Sequence, residues 1–403
     1  MDRFTSPWGE LDLTRFPDEP REQLRAFDAA DAYALRHLAG DPGPAPTAGH
    51  PEAAEDTARR PLVPGARVVV LGDRWGAVTT ALAAGVPGLD LTLVTDSYLA
   101  GRAAEANLRR NAPQARVALT TTRDTPPAGA DVLVVRVPKS LALLEDQLHR
   151  LAPALHAGST VVGAGMTTEV HTSTLRLFEQ LVGPTRTTLA VRKARLILST
   201  PGPAAHRPAN PWPLRYALPD GIGPMSGRTV TSHAGVFCAD RLDLGTRLML
   251  EHLPRRSGPE TVVDLGCGNG VLGTAAALAN PACEVLFTDE SHQAVASAED
   301  TFRANAPAGA KARFTVGDAL ADVPPGSVDL VLNNPPFHSH QATTDRAARR
   351  MFTGARAALR PGGELWVVAN RHLGHHTRLR RLFGTCEVAA ATPKFVLLRA
   401  VRR

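Results

Sequence analysis

Cysteine, lysine and long apolar runs are scarce in this 403-residue chain, and each scarcity closes a route. Four cysteines (Cys238, Cys267, Cys283 and Cys386) stand apart with no CxxC among them, so neither a zinc site nor a disulfide framework is indicated. His372, His375 and His376 gather, but no carboxylate or cysteine joins them, and no metal is expected. No apolar stretch has transmembrane length and the opening MDRFTSPWGE has no signal-peptide core, so a cytoplasmic protein without a membrane partner is expected. The lysines are four (Lys139, Lys193, Lys311 and Lys394), so arginine carries nearly all the positive charge. A net charge of +6 permits a nucleic-acid partner without requiring one.

What is present begins with Thr261-Val262-Val263-Asp264-Leu265, the apolar run of a buried parallel strand. Gly266, Gly268 and Gly270 break it, and VLGTAAALAN from Val271 to Asn280 reads as a helix. Glycines let a backbone approach a ligand closely, and the N–H groups of a helix start point at it. Asp264 precedes the glycines, and Asp289 closes a second strand, Val285 to Asp289, where a carboxylate suits the two hydroxyls of a ribose.

A third strand, Asp329 to Asn333, runs into Asn334-Pro335-Pro336-Phe337. Two prolines fix the backbone and supply no N–H, which leaves neighbouring carbonyls free to accept. Asn334 adds a side-chain acceptor, and Phe337 a flat face for a planar group. An amine conjugated to a ring is a poor nucleophile, since its lone pair is delocalised. Two acceptors holding its hydrogens favour a more pyramidal nitrogen aimed at an electrophilic methyl.

Taken in order, residues 1–40 read as an opening cap, and Asp41 to Pro61, poor in apolar residues, as an insertion. From Arg67 strands and helices alternate, the pattern of a doubly wound parallel sheet. The later half repeats the earlier: Ala104 to Pro113 matches Ala298 to Pro307, at the offset of 194 that also takes Val68 to Val262. Asp96 falls near Asp289, and Asp131 pairs with Asp329. The first copy has lost its site. Gly72-Asp73-Arg74-Trp75-Gly76 stands where the second has its glycine turn, and Val135-Arg136-Val137-Pro138-Lys139 where the second has Asn333 to Phe337. Trp75 is expected to obstruct a ligand there. Seven prolines between 201 and 225 suggest a connector over 199–232, so the expected division is 1–198, the linker 199–232, and a catalytic domain 233–403.

DLGCGNG, FTDES, GDA and NNPPF together resemble class I S-adenosylmethionine-dependent N-methyltransferases. Tandem copies with an inactive first half and NPPF-His in the second are similar to the ribosomal RNA guanine-N2 methyltransferases. Val137 to Glu145, His171 to Phe178 and Leu189 to Ile197 are closer to the branch acting on the large-subunit (23S) RNA than to its small-subunit (16S) relative. The resemblance implies two tandem Rossmann-like domains with mostly parallel sheets, the first degenerate. It implies S-adenosylmethionine as cofactor, with Asp264, Gly266, Gly268 and Gly270 at its loop and Asp289 on its ribose. Asp318 and Ala319 would lie at the adenine edge and Asn333 nearby. Asn334, the Pro335 carbonyl and Phe337 would hold the guanine. Ribosomal RNA is the implied partner. Arg186, Arg192, Lys193 and Arg195 are candidates to grip it, as are Arg346, Arg349, Arg350, Arg371, Arg378, Arg380 and Arg381. Three alternatives stay open: the small-subunit RNA, methylation of a protein glutamine, and a non-catalytic RNA-binding assembly factor.

Overall fold

The computed structural model describes residues 1–18, 23–41, 62–203, 207–336 and 341–403, with backbone alone over 341–345. Phe337, His338 and all but the first residue of the 41–61 stretch lie outside the described residues. The chain divides into two units, Met1–Pro211 and Trp212–Arg403, each α/β.

The first unit opens on a hairpin, β1 (Asp2–Ser6) and β2 (Gly9–Leu13), followed by helix α1 (Ala29–Leu38). Then come β3 (Arg67–Leu71), α2 (Ala77–Gly85), β4 (Asp90–Thr95), α3 (Tyr98–Asn111), β5 (Val117–Thr121) and β6 (Ala130–Arg136). It closes with α4 (Leu141–Leu151), β7 (Leu155–Met166), α5 (Thr172–Leu181), β8 (Thr185–Thr187) and β9 (Ala194–Ser199). The second unit runs in the same order: β10 (Leu214–Ala217), β11 (Thr229–Ser232), α6 (Leu244–Glu251), β12 (Thr261–Leu265), α7 (Val271–Ala279) and β13 (Glu284–Asp289). After them lie α8 (His292–Asn305), β14 (Lys311–Val316), β15 (Val328–Asn333), α9 (Gln341–Ala358), β16 (Leu359–Asn370), α10 (His375–Phe383), β17 (Glu387–Ala391) and β18 (Phe395–Val401).

The sheets have one topology. Their orders are β5-β4-β3-β6-β7-β9-β8 and β14-β13-β12-β15-β16-β18-β17, parallel over the first five strands and antiparallel over the last two. Central strands such as β3 (RVVVL) and β15 (VDLVLN) bury both faces, as parallel strands covered by helices must. In the second unit the core lies in two layers. Val262, Leu332, Phe287 and Phe302 face one side, and Val263, Leu365, Phe352 and Leu379 the other. Helices start where a hydroxyl accepts the N–H three residues on: Ser97 before α3, Ser140 before α4 and Ser291 before α8.

The pairing of Asp131 with Asp329 is physical. Each carboxylate accepts the N–H that starts the neighbouring strand, Arg67 at 2.9 Å and Thr261 at 2.7 Å. The pairing of Asp96 with Asp289 shifts by one, because strand register sets Val94 against Leu71 and Thr288 against Leu265. Thr95 therefore answers to Asp289, and the first unit has a hydroxyl where the second has a carboxylate.

The 199–232 stretch is not all connector. Ile222, Met225 and Val230 are buried in the second unit's core, and β10 and β11 form its opening hairpin. That hairpin repeats β1 and β2 down to single bonds. Asn111 Nδ2 donates to the carbonyls of Asp12 and Asn107, and Asn305 Nδ2 to those of Thr229 and Thr301. Asp12 thus matches Thr229, an offset of 217 against the 194 that takes Arg67 to Thr261.

Candidate active site

Gly266, Gly268 and Gly270 all have left-handed φ, at 69°, 51° and 75°. The N–H groups of Gly266 and Cys267 donate to the Thr288 carbonyl (2.8 and 3.1 Å), which ties the turn to β13. Gly268 N–H donates to Asp289 Oδ2 at 3.1 Å, and Ser291 N–H to Asp289 Oδ1 at 3.1 Å. The three glycines differ in what they serve. A methyl on Gly270 would meet the Ala298 backbone at 2.6 Å, so this glycine lets α7 approach α8. Gly76 does the same against Ala104 at 2.5 Å in the first unit, where Gly72, at φ 72°, also keeps the bond that Gly266 makes, its N–H donating to the Val94 carbonyl at 2.9 Å. Gly268 is the opposite case. The nearest atom to its missing methyl is Val236 Cγ1 at 4.0 Å, so its side of the turn is open.

Asp264 lies beneath the turn rather than at its mouth. Its carboxylate is 1% exposed and accepts the Gly273 N–H at 2.8 Å, holding the first turn of α7. Burial, with the Asp289 charge added, pushes its pKa up to about 8 despite that bond. Cys267 is buried too, and burial pushes its thiol well above the ordinary range, which leaves no thiolate nucleophile.

Asn333 and Asn334 end β15 on opposite faces. Asn333 is fully buried, and its Nδ2 donates to the Leu265 carbonyl at 2.7 Å, binding β15 to β12 under the glycine turn. Asn334 is half-buried. Its Nδ2 donates to Asp243 Oδ2 and to Thr246 Oγ1, each at 2.9 Å, while its Oδ1 is buried with no hydrogen-bond partner among the described residues. Asp243 is the N-cap of α6 and accepts Thr246 N–H at 2.8 Å. With both amide hydrogens spoken for, the acceptor of Asn334 is its one available function. Pro335 follows, buried, and Pro336 exposed.

Asp318 and Ala319 lie across β13. Asp318 takes an ion pair from Arg350 of α9 at 3.1 Å, and Ala319, at φ 52°, offers its carbonyl to Thr288 Oγ1 at 3.2 Å. A cavity of about 230 Å³ touches Gly317, Asp318 and Ala319, but it extends along the sheet toward Thr261 and Val328 and reaches neither the glycine turn nor Asn334. Of the α9 arginines, Arg349 is exposed while Arg346 and Arg350 are half-buried. Arg192 and Lys193 are exposed at a left-handed turn ahead of β9. No group able to hold a metal ion exists among the described residues, and no described helix is long and apolar enough to cross a membrane.

In the first unit charges fill the corresponding positions. Arg136, at the place of Asn334, is fully buried and pairs with Asp28 (2.9 Å) and Asp31 (2.6 Å) of α1 while donating to the Ala164 carbonyl at 2.5 Å. Burial opposes its charge, but Asp31 and Asp28 outweigh that and raise its pKa further. Arg74, at the place of Gly268, reaches Asp28 at 3.4 Å and Glu169 at 2.5 Å. Asp73 caps α2 through Thr79 N–H at 2.7 Å, the work Asp264 does for α7 from the strand. Trp75, the expected obstruction, packs in the core beneath the Arg15 guanidinium, 4.8 Å from its ring. Arg136 and Arg74 hold the places of Asn334 and Gly268. Sequence reasoning also missed Asp243 and Thr246. Their only signal is a D-x-x-T helix start, which by itself means a cap.

Comparison with known proteins agrees over the whole chain. Residues 227–399 match the family described as Methyltransferase small domain, and residues 1–203 the RLMG N-terminal domain. A Ribosomal RNA large subunit methyltransferase G of Streptomyces avermitilis is 63% identical over 403 residues, the whole of both chains. One from Stutzerimonas stutzeri is 45% identical over 408 residues, again covering both. Among solved structures, a T. thermophilus 16S rRNA N2 methyltransferase in complex with AdoMet and guanosine covers all of this chain and 98% of its own, at TM-score 0.73 and 21% identity. At that identity the likeness speaks for the fold.

Proposed function

The chain belongs to the Ribosomal RNA large subunit methyltransferase G family, and on that premise we propose that its second unit methylates N2 of a guanine in 23S rRNA. It is an rRNA methyltransferase that uses S-adenosylmethionine. The observation that carries the finer reading is Asn334. Its buried Oδ1 has no partner among the described residues, and it stands one residue beyond the pairing of Asn333 with Leu265, next to the glycine turn. A buried acceptor left unmade is costly, and an incoming N–H relieves it.

The residues of the turn fit the cofactor. Gly268 has an open side in a conformation that glycine adopts without strain, and Asp289 brings two acceptor oxygens to the end of β13. Those residues would hold the methyl donor, with Gly266 beside them and Asp318 and Ala319 at the adenine end. When bound, the donor supplies a methyl group already activated by a sulfonium. The protein then has to align and to exclude water rather than to provide acid or base. Asn334 Oδ1 and the Pro335 carbonyl accept from the two N2 hydrogens, and Phe337, outside the described residues, would cover the base. The extra proton leaves once the nitrogen is cationic and acidic. No buried thiolate or imidazole is enlisted.

Nucleoside mass spectrometry of both rRNAs from a deletion strain tests this. Loss of N2-methylguanosine from 23S rRNA, restored by the wild-type chain and not by Asn334→Ala, is the expected result. Loss from 16S rRNA alone would replace the substrate.

A further inference from the structure

We propose that Asp243 and Thr246, at the start of α6, are positioning residues that set which end of the Asn334 amide meets the target amine. The proposal rests on the reading of Asn334 given above. An asparagine amide has two ends of nearly equal shape, one accepting and one donating. If Nδ2 faced the target amine, two donors would confront each other and the methyl acceptor would be repelled. A carboxylate is acceptor-only, so Asp243 Oδ2 binds Nδ2 and rejects Oδ1. Thr246 Oγ1 lies 3.4 Å from Asp243 Oδ2, where it donates, and this turns its lone pair to the second hydrogen of Nδ2 at 2.9 Å. The flipped amide would set Oδ1 against the Asp243 carboxylate, and Thr246 could donate to it only by giving up its bond to Asp243. Both partners are about ninety residues away in sequence (separations of 91 and 88), so the fold and not the local motif fixes the amide.

The first unit supplies an independent observation of the same coupling. Asp28 is the N-cap of α1 as Asp243 is of α6, and Asp31 follows it by three residues as Thr246 follows Asp243. Both grip Arg136, the residue at the place of Asn334. Where the strand end carries a guanidinium, the third helical residue is a second carboxylate. Where it carries an amide, that residue is a hydroxyl. The helix start is therefore matched to the hydrogen-bonding needs of the strand end, beyond what capping a helix requires. Ser and Asp cap about equally well, so a pure capping role predicts that Asp243→Ser changes little.

The test is a set of steady-state measurements on the full-length protein with 23S rRNA, each variant normalised to the fraction that binds S-adenosylmethionine by calorimetry, with thermal melting alongside. Thr246→Val is expected to lower kcat about tenfold, and Asp243→Ser, which keeps a helix cap but is too short to hold the Asn334 amide, about tenfold to a hundredfold, with KM for both substrates little changed. In an Asn334→Ala background neither should lower kcat further, since both act through Asn334. Asn334→Asp sets two carboxylates face to face and is expected to lose at least about a hundredfold. Additive losses in the Asn334→Ala background would overturn the proposal. Wild-type kcat in Thr246→Val and Asp243→Ser beside an inactive Asn334→Ala would sink the proposal while sparing the reading of Asn334. An active Asn334→Ala would remove both.

Discussion

The two units share every strand and every turn of topology, yet opposite things happen at the end of their fourth sheet strand. In the second unit Asn334 leaves a buried oxygen without a partner. In the first, Arg136 is clamped by Asp28 and Asp31, with Arg74 laid across to Asp28 and Glu169. One copy holds an acceptor with no partner among the described residues, and at the same place the other holds a guanidinium between two carboxylates. The lesson is that a site can be silenced with its scaffold intact. The helix start that orients an amide becomes, with one hydroxyl exchanged for a carboxylate, half of a buried ion pair.

Four substitutions sharpen or break this contrast. The largest effect belongs to Asn334→Ala, expected to cost about a thousandfold in kcat while calorimetric binding of S-adenosylmethionine persists. Arg136→Ala should do the reverse. It strands Asp28 and Asp31 and destabilises the first unit by about 3–5 kcal/mol in denaturant unfolding, while the folded fraction methylates at the wild-type rate. Gly270→Ala and Gly76→Ala should each cost about 1–3 kcal/mol, because both force the same contact between paired helices, at 2.6 and 2.5 Å. If only Gly270→Ala destabilised, the shared packing role would be wrong.

A further test lies in the pH dependence of stability. Asp264 has a pKa raised from 3.8 to about 8 by burial. The folded chain thus holds a proton that the unfolded chain gives up near pH 4. Stability from this group is full below that pH and is lost as pH rises toward 8, by up to about 1.4 kcal/mol per unit. Asp264→Asn should flatten that slope in the ligand-free protein; an unchanged slope would place the titration elsewhere.

Much of this was legible in the sequence, because the glycine turn, the acid closing β13 and the Asn-Pro-Pro turn are short contiguous signals. The repeat was legible only from β3 onward. Before it, the first copy is longer by 23 residues, a difference made up mostly by the 21 residues of the 41–61 stretch, which moves the offset from 194 to 217 and hides the kinship of the two hairpins. Proline content then made 199–232 look like a tether, although Met225 and Ile222 are fully buried. Thr95 lost its place to Asp96 because composition favours an acid where register decides. The clamps on Asn334 and Arg136 were out of reach for a plainer reason: they join residues 88 to 108 positions apart.

The central claim is one working copy and one silenced copy in the same chain. Titration of S-adenosylmethionine into the full-length protein by calorimetry tests it most directly. One site per chain is predicted, weakened strongly by Asp289→Ala and left unchanged by Thr95→Ala. Two sites per chain, or a single site that survives Asp289→Ala and vanishes with Thr95→Ala, would contradict it.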